Sequence, residues 1–318
     1  MTTKYGIISD IHAAHLGLVK AAIDILKQEG AEKLVLNGDL VGDRNPIPEL
    51  DEKNYAALVL QLAGESGLET YALEGSHECV PLFKPVIDVL SQKYGNIIDV
   101  MENPKVEGEG YDLVFLAGSD WHAENAVQGG YHLLSGDNET GVYDSSNGVN
   151  IVRNMNDLKK LATRPQETVV FSHVPRKFDN IETSVDMAYF TQHITTETIS
   201  PGILKEREIR QKFGEDLPFS AVEEYAAREL IRFKRENRGN DDLANLYQEL
   251  GIKKNVTGHF HESAHRAHDS NTVPVKEGEL TNELFWNASY LDDGKVGLLT
   301  VDGPKVSYRN INLKDFLQ

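Results

Sequence analysis

Short runs of apolar and β-branched residues recur along the chain, and each run leads into polar or ionisable residues. Runs of about four to eight such residues, bounded by turn-forming residues, are typical of buried β-strands. We therefore predict five buried strands, at residues 5–9, 33–37, 70–74, 168–171 and 255–257.

Between the first strands, apolar residues return every three or four positions, which is the spacing of one helix face. Helices predicted in this way span residues 16–29, 54–63 and 82–94. Strand, helix and strand in succession predict parallel strands joined by crossover helices. A further strand is predicted at residues 113–117, and a closing hairpin at 297–301 and 306–311, joined through Asp302-Gly303.

The stretch between residues 174 and 258 is longer than a connection between two strands requires. It contains helical patterns around residues 221–236 and 241–250 and many charged residues. We interpret residues 178–252 as a helical insertion that forms a cap on a single domain spanning residues 1–318. A solvated helical decoration or an oligomer surface fits the same segment equally well.

Insertions above a rigid sheet commonly line a substrate entrance. Arg176, Lys177 and His193 are therefore candidate substrate contacts. Three arginines fall at helical spacing, and an ordinary charged helix face explains them: Arg228, Arg232 and Arg235.

Residues of the types that bind metal ions follow the predicted strands. Loops at the carboxyl ends of parallel strands meet in one crevice, so residues distant in sequence lie together there. One Asp or His after a strand is usually a cap or turn residue, but the repeated coincidence favours a site for two metal ions. The residues are Asp10, His12, Asp39, His77, His173, His259 and His261.

Mixed carboxylate and imidazole ligands favour manganese, iron, zinc, cobalt or nickel over magnesium or calcium. Two such ions together hold a phosphate group and neutralise charge on the attacking and leaving oxygens. The sequence thus points to a phosphoesterase site with two divalent metal ions.

These residues also stand in a recognisable order: Asp-x-His, Gly-Asp, Gly-Ser-His-Glu, a lone His, and Gly-His-x-His, from Asp10 to His261. The pattern resembles that of the calcineurin-like metallophosphoesterases. The resemblance implies an α/β fold of the four-layer α+β type, with two packed mixed β-sheets flanked by helices. It further implies two metals bridged by one carboxylate and a hydroxide.

The resemblance also implies a role for each residue. Asp10, His12 and His261 correspond to the ligands of one metal. Asp39 corresponds to the bridging carboxylate, and His173 and His259 to ligands of the other metal. His77 corresponds to the imidazole that assists the leaving group, and we assign it as the general acid.

The chain departs from the family pattern at position 76. The family has Asn there, whose amide oxygen is a metal ligand, whereas Ser76 offers only a shorter, neutral hydroxyl. A second departure follows Asp39, where the segment that ends in Asp43 and Arg44 is one residue longer than in the phosphoprotein phosphatases. Asp43 as a partner of His77 and Arg44 as a phosphate contact are open alternatives to a solvated loop.

A second Asp-x-His sequence, Asp120-Trp121-His122, offers an alternative ligand pair. We prefer the pair at Asp10 because it alone keeps the order and rough spacing of the pattern. His122 remains a candidate substrate contact, against a capping or surface role. Two histidines beyond the last ligand lie in a polar stretch, and we expect them to be solvated: His265 and His268.

The net charge of −18, from 50 acidic and 32 basic residues, argues against a basic binding face. We therefore expect a small phosphorylated substrate as partner, with no bulk nucleic acid and no membrane. The single cysteine, Cys79, excludes an internal disulfide, and the chain enters its first strand without an apolar leader. A cytoplasmic location is expected.

Three functions are compatible with these patterns. The first is a metal-dependent phosphoesterase that hydrolyses a phosphomonoester or small phosphodiester. The second, motivated by Ser76, is a metal-binding scaffold with weakened catalysis, although the presence of His77 argues against it. The third is a nuclease, which the acidic composition disfavours.

Overall fold

A computed structural model describes residues 2–12, 14–42, 52–120, 129–136, 140–145 and 148–317. Seven α-helices lie in these ranges: α1 Leu16–Gln28, α2 Glu52–Glu65, α3 Val80–Tyr94, α4 Leu158–Leu161, α5 Gly202–Phe213, α6 Phe219–Arg228 and α7 Asp241–Leu250. Short 3-10 turns are found at Met155–Asp157, His261–Ser263, Leu291–Asp293 and Leu313–Asp315.

Eighteen strands lie in the same ranges. They are β1 Thr2–Ile8, β2 Lys33–Asn37, β3 Glu69–Leu73, β4 Ile97–Asp99, β5 Lys105–Gly108, β6 Tyr111–Leu116, β7 Tyr131–Leu134, β8 Gly141–Ser145, β9 Gly148–Asn154, β10 Thr168–Ser172, β11 Met187–His193, β12 Ile199–Pro201, β13 Ile231–Asn237, β14 Lys254–Thr257, β15 Ala267–His268, β16 Leu284–Asn287, β17 Lys295–Asp302 and β18 Lys305–Asn312.

Local chemistry sets the ends of the helices. The side chain of Asn240 accepts a hydrogen bond from the N–H of Leu243 at 2.8 Å and so caps the start of α7. Gly251 ends the same helix in the left-handed conformation, at φ 74°. Gly95 ends α3 in the same way, at φ 71°.

Two six-stranded mixed sheets form the centre of the molecule. The first has the order β18-β17-β1-β2-β3-β4, and β1 to β4 are parallel. The second has the order β15-β16-β14-β10-β6-β5, and its four central strands are parallel. All the strands predicted to lead into metal ligands are among these parallel strands, so that prediction is confirmed.

The two sheets pack face to face. The core between them contains the aromatic side chains of Tyr71, Phe115 and Phe171, whose rings stack at centroid distances of 5.2 and 5.3 Å. Helices α1, α2 and α3 cover the outer face of the first sheet, and α4 and α7 cover that of the second. Successive residues of a strand point to opposite faces, which is why both faces need apolar residues. The four-layer fold expected from the sequence is confirmed.

The insertion is less helical than predicted. Its α5 and α6 pack beside a three-stranded antiparallel sheet of order β12-β11-β13. The predicted helix at 221–236 is wrong beyond α6, because Ile231–Asn237 pairs with β11 along its whole length. Arg232 and Arg235 therefore lie on a strand, and they share no helix face with Arg228. None of the described helices has the length and apolar composition of a transmembrane segment.

Candidate metal centre

The loops that follow β1 and β2 adopt an unusual backbone conformation. Asp10, His12 and Asp39 have positive φ values of 54°, 45° and 53°. Non-glycine residues rarely adopt this conformation unless surrounding structure holds them in it, and such positions concentrate at functional sites. Here the N–H groups of Asp10 and Ile11 donate to the carbonyls of Gly38 and Asp39 at 3.0 and 2.8 Å, which ties the two loops together.

The first group of ligand atoms belongs to Asp10, His12 and His261. Nε2 of His261 lies 3.1 Å from Oδ1 of Asp10 and 3.1 Å from Nε2 of His12. Nε2 of His12 lies 3.8 Å from the same carboxylate oxygen. Two imidazole nitrogens that face each other beside a carboxylate are the arrangement expected of ligands to one cation.

The second group belongs to Asp39, His173 and His259. Nε2 of His173 lies 3.0 Å from Oδ2 of Asp39 and 3.3 Å from Nδ1 of His259. Nδ1 of His173 donates to the carbonyl of Asn37 at 3.1 Å, which orients the ring so that Nε2 faces Asp39 and His259. The two groups adjoin, because Oδ2 of Asp39 is also 3.7 Å from Nε2 of His12.

Two glycines allow the loops to approach this closely. A Cβ added at Gly258 would overlap the side chains of Ser9 and Asp10, and one added at Gly75 would overlap the carboxylate of Asp39. Any side chain larger than that of glycine at these two positions would therefore prevent the loops from approaching each other.

The electrostatics fit divalent cations. Burial opposes ionisation of Asp10, but the hydrogen bond with His261 and the charge of His173 outweigh it and bring its pKa to about 2. Burial also opposes a charged His173, yet Asp39 raises the pKa of that imidazole to about 10. Burial lowers the pKa of His12 to about 4 and that of His259 to about 3, so both keep a lone pair. Positive charge would stabilise the two buried carboxylates. The neutral imidazoles of His12 and His259 each have a nitrogen lone pair that can coordinate a metal ion.

His77 reaches the same cluster. Its Nε2 lies 3.9 Å from Oδ2 of Asp39, and its ring meets that of His12 edge to face at 4.8 Å. Its side chain is 19% exposed, between His12 at 16% and His261 at 33%, so solvent reaches it. His77, His12 and Asp39 also form a third group with the spacing of metal ligands. The position of His77 is compatible with the predicted proton transfer to the leaving group and also with coordination of a metal ion by its imidazole.

Ser76 contacts Asp39 as a donor. Its backbone N–H donates to Oδ1 at 2.5 Å, and its hydroxyl lies 2.9 Å from Oδ2 and 3.1 Å from Oδ1. The hydroxyl thus orients the carboxylate of Asp39.

Ser76→Asn is expected to bind the second metal about tenfold more tightly and to raise turnover, because an amide oxygen is added beside Asp39. Metal stoichiometry and kcat measure the effect. Ser76→Ala is the control: it removes the hydroxyl, adds no oxygen, and should not tighten the metal. Equal stoichiometry and rate in Ser76→Asn and the unaltered protein would contradict the expectation.

The sequence pattern gave no role to Glu78, which joins the ligand loops. Its Oε1 accepts hydrogen bonds from the N–H groups of Leu40 and Val41 at 2.6 and 3.3 Å. Its Oε2 accepts from Gly75 and Asp39 at 2.6 and 3.2 Å. Burial and the charge of Asp39 raise the pKa of Glu78 to about 7, against the hydrogen bond from Gly75.

Glu78→Gln is expected to destabilise the protein by about 2–4 kcal/mol, because the new amide group would leave two buried N–H donors without an acceptor. Denaturant unfolding measures the change. Glu74→Gln is the matched control: burial and Asp99 raise the pKa of this equally buried carboxyl well above its usual range, so a neutral amide replaces a neutral acid. A similar loss in both variants would refute a specific role for Glu78.

Tyr290 is a second residue that the pattern missed. Its ring stacks on that of His261 at 4.3 Å between centroids, with 8° between the ring planes. Tyr290 follows β16, and no residue of the metal-ligand pattern lies after that strand. The sequence therefore does not indicate that Tyr290 lies beside His261.

Other predicted residues lie elsewhere. The guanidinium of Arg176 lies over the rings of Phe178 and Phe285, on the outer side of the second sheet. Nζ of Lys177 pairs with Asp241 at 3.0 Å, and Nδ1 of His193 bonds Thr195 within the insertion. Asp43, Arg44 and His122 lie outside the described residues.

The expectation that His268 is solvated is wrong. It is fully buried, accepts from the N–H of Val185 at 3.2 Å and donates to the carbonyl of Asp269 at 2.7 Å. His265 is partly buried and donates to the carbonyl of Val296 at 3.1 Å. Both imidazoles thus make hydrogen bonds with segments distant in sequence, at Val185 and Val296, which the local polar sequence does not indicate.

The chain is similar to known proteins in sequence pattern and in fold. The family model described as calcineurin-like phosphoesterase matches residues 3–263. The structure of TT1561 of Thermus thermophilus is 10% identical, covers 98% of this chain and 100% of its own, and has a TM-score of 0.55. A dimetal phosphatase from Danio rerio is 10% identical, with 98% of this chain and 99% of its own covered and a TM-score of 0.46. At this identity the likeness to TT1561 shows a shared fold and no more. Comparison with curated protein sequences gives no significant match.

Proposed function

Because the chain belongs to the calcineurin-like phosphoesterase family, we propose that it hydrolyses a phosphomonoester or a small phosphodiester with the help of two divalent metal ions. The observation that carries the proposal is the meeting of two adjoining three-residue ligand groups, drawn from loops of both sheets. Manganese, iron, zinc, cobalt and nickel all suit these side chains.

In this proposal Asp10, His12 and His261 hold one metal, and Asp39, His173 and His259 hold the other. When bound, the metals would supply Lewis acidity, which lowers the pKa of an attacking water and neutralises phosphate charge. The pKa values of Asp10 and Asp39 are both lowered by neighbouring histidines, so both side chains are carboxylates that could bind the metals.

His77 would donate a proton to the oxygen of the leaving group. Its imidazole is partly exposed, and its backbone N–H donates to Oδ1 of Asp39 at 3.0 Å, which anchors the residue beside the cluster. Proton transfer to the departing oxygen prevents the build-up of an unstable alkoxide.

The insertion would form one wall of the entrance to the site, within a single domain. Phe260, between the two histidines of the last motif, packs with Ala188 and Phe190 of β11. The hydroxyl of Ser263 donates to the carbonyl of Val185 at 2.5 Å, which fixes the same loop to the insertion. This contact supports a role in substrate selection, as does the acidic composition, which suits a small substrate better than bulk nucleic acid. The single cysteine supports a cytoplasmic location.

A metal-binding scaffold with little turnover is the second candidate. The contact of Ser76 with Asp39 favours it, because the hydroxyl donates a hydrogen bond to the carboxylate, whereas the Asn of the family pattern offers an oxygen lone pair to the metal.

One experiment separates the candidates. The full chain is loaded with each of the five metals, its metal content is measured, and hydrolysis of 4-nitrophenyl phosphate and bis(4-nitrophenyl) phosphate is followed. Metal-dependent hydrolysis supports the enzyme. Background rates with every bound metal overturn it, and digestion of linear single-stranded DNA would indicate the nuclease.

A further inference from the structure

A cavity lies away from the cluster of metal ligands, between the start of the insertion and the loop after β15. Its volume is about 550 Å³. This is in the range of small-molecule pockets and exceeds the size of a bare phosphate ion. Polar, basic and aromatic side chains line it, among them Arg176, Lys177, Phe178, Asn180, Ser270 and Asn271.

Arg176 is the unusual member of this lining. Its guanidinium carbon lies 4.0 Å from the ring centroid of Phe178 and 4.6 Å from that of Phe285. Its Nε is buried, and among the described residues the guanidinium has no hydrogen-bond or ion-pair partner. Burial removes part of the water that would stabilise this charge, so an anion bound beside Arg176 would offset that loss.

Burial lowers the pKa of Arg176, although the nearby Tyr247 and Asp186 act in the opposite direction, and neither forms a hydrogen bond or ion pair with the guanidinium. Lys177 is paired with Asp241 at 3.0 Å. The buried carboxylate of Asp186 accepts hydrogen bonds from the N–H groups of Phe178 and Gly239 at 3.0 and 3.2 Å. It also accepts one from the amide of Asn237 at 2.7 Å. Asp179, in the same lining, is exposed to solvent.

We propose that this cavity binds a small organic anion, with Arg176 contacting its carboxylate or phosphoryl group. The guanidinium lies over both rings, and its planar array of N–H groups matches the geometry of either oxyanion. The remaining volume, beside Phe178 and the partly exposed Ile181, accommodates the apolar part of the ligand. The site is separate from the proposed phosphoesterase centre and does not depend on turnover.

The test uses the full chain labelled with ¹⁵N and two anions that no phosphoesterase hydrolyses, benzoate and phenylphosphonate. We expect a saturable shift of the Arg176 Nε–Hε resonance, identified by its absence in Arg176→Met, with one or both anions but not with benzyl alcohol. Calorimetry should show that Arg176→Met weakens binding by about 10- to 100-fold, since the methionine keeps the apolar contact and loses the charge-assisted hydrogen bonds. The preferred anion identifies the group that the site recognises.

Arg238→Met is the matched control. Arg238 is also half-buried, and its guanidinium carbon lies 4.8 Å from the ring centroid of Phe190, but it is not among the residues that line the cavity. Unchanged affinity in this variant supports the site. An Arg176 resonance that neither anion shifts, affinity that Arg176→Met leaves unchanged, or an equal loss in Arg238→Met would overturn the proposal.

Discussion

Asp39→Asn should lose bound metal and lower kcat/KM for phosphoester hydrolysis by about 1000-fold or more. The carboxylate of Asp39 is nearly fully buried, and its Oδ2 lies 3.0 Å from Nε2 of His173, 3.7 Å from that of His12 and 3.9 Å from that of His77. Asparagine keeps its shape but removes the negative charge that offsets a cation. Lewis acidity contributes several kcal/mol to the transition state, and each loss of about 1.4 kcal/mol slows the reaction tenfold.

Elemental analysis and steady-state kinetics measure this effect, and circular dichroism shows whether the fold persists. Asp99→Asn is the matched control, because Asp99 is a buried carboxylate on the same sheet that pairs with Lys84 at 3.0 Å. It should keep its metal and its rate. Normal metal content and rate in Asp39→Asn, or an equal loss in Asp99→Asn, would disprove the central role of Asp39.

His77→Ala should keep its metal and still lower kcat by about 10²- to 10⁴-fold, the usual contribution of a general acid. The reason is that the six proposed ligand residues remain, while the departing oxygen would lose its proposed proton donor. Elemental analysis and kcat on an alkyl phosphate monoester measure the two parts of the expectation.

The leaving group supplies the internal control. A 4-nitrophenolate departs without protonation, so the rate with 4-nitrophenyl phosphate should fall much less than that with an alkyl phosphate. An equal fall with both esters would argue for a structural role. Loss of metal would show that His77 coordinates, as its group with His12 and Asp39 also permits.

The ligand cluster was predictable because it depends on topology more than on detail. Parallel strands of one sheet end at the same edge, so a residue such as Asp10 or His173 can be placed by the strand before it. Both do lie at such ends, together with Asp39 and His259. The spacing of apolar residues was sufficient to find these strands.

Other features required the folded chain. Glu78 acts on backbone N–H groups, which every residue except proline has, so no side-chain pattern marks its partners. The helical pattern predicted over residues 221–236 fails at Ile231–Asn237, because pairing with β11, which the local sequence does not show, makes this segment a strand. The contact between Arg176 and Phe285 joins segments that are far apart in the chain, so the local spacing of residues cannot predict it.

The six ligand residues come from loops of both sheets, and this has a consequence for the evolution of the chain. Asp10 and Asp39 follow strands of the first sheet, whereas His173 and His259 follow strands of the second. A cation held between them would act as a removable crosslink, whose binding free energy adds to resistance against unfolding. In the proposed enzyme, selection for rate and selection for cellular lifetime would therefore act on the same side chains, and neither property could change independently at these positions.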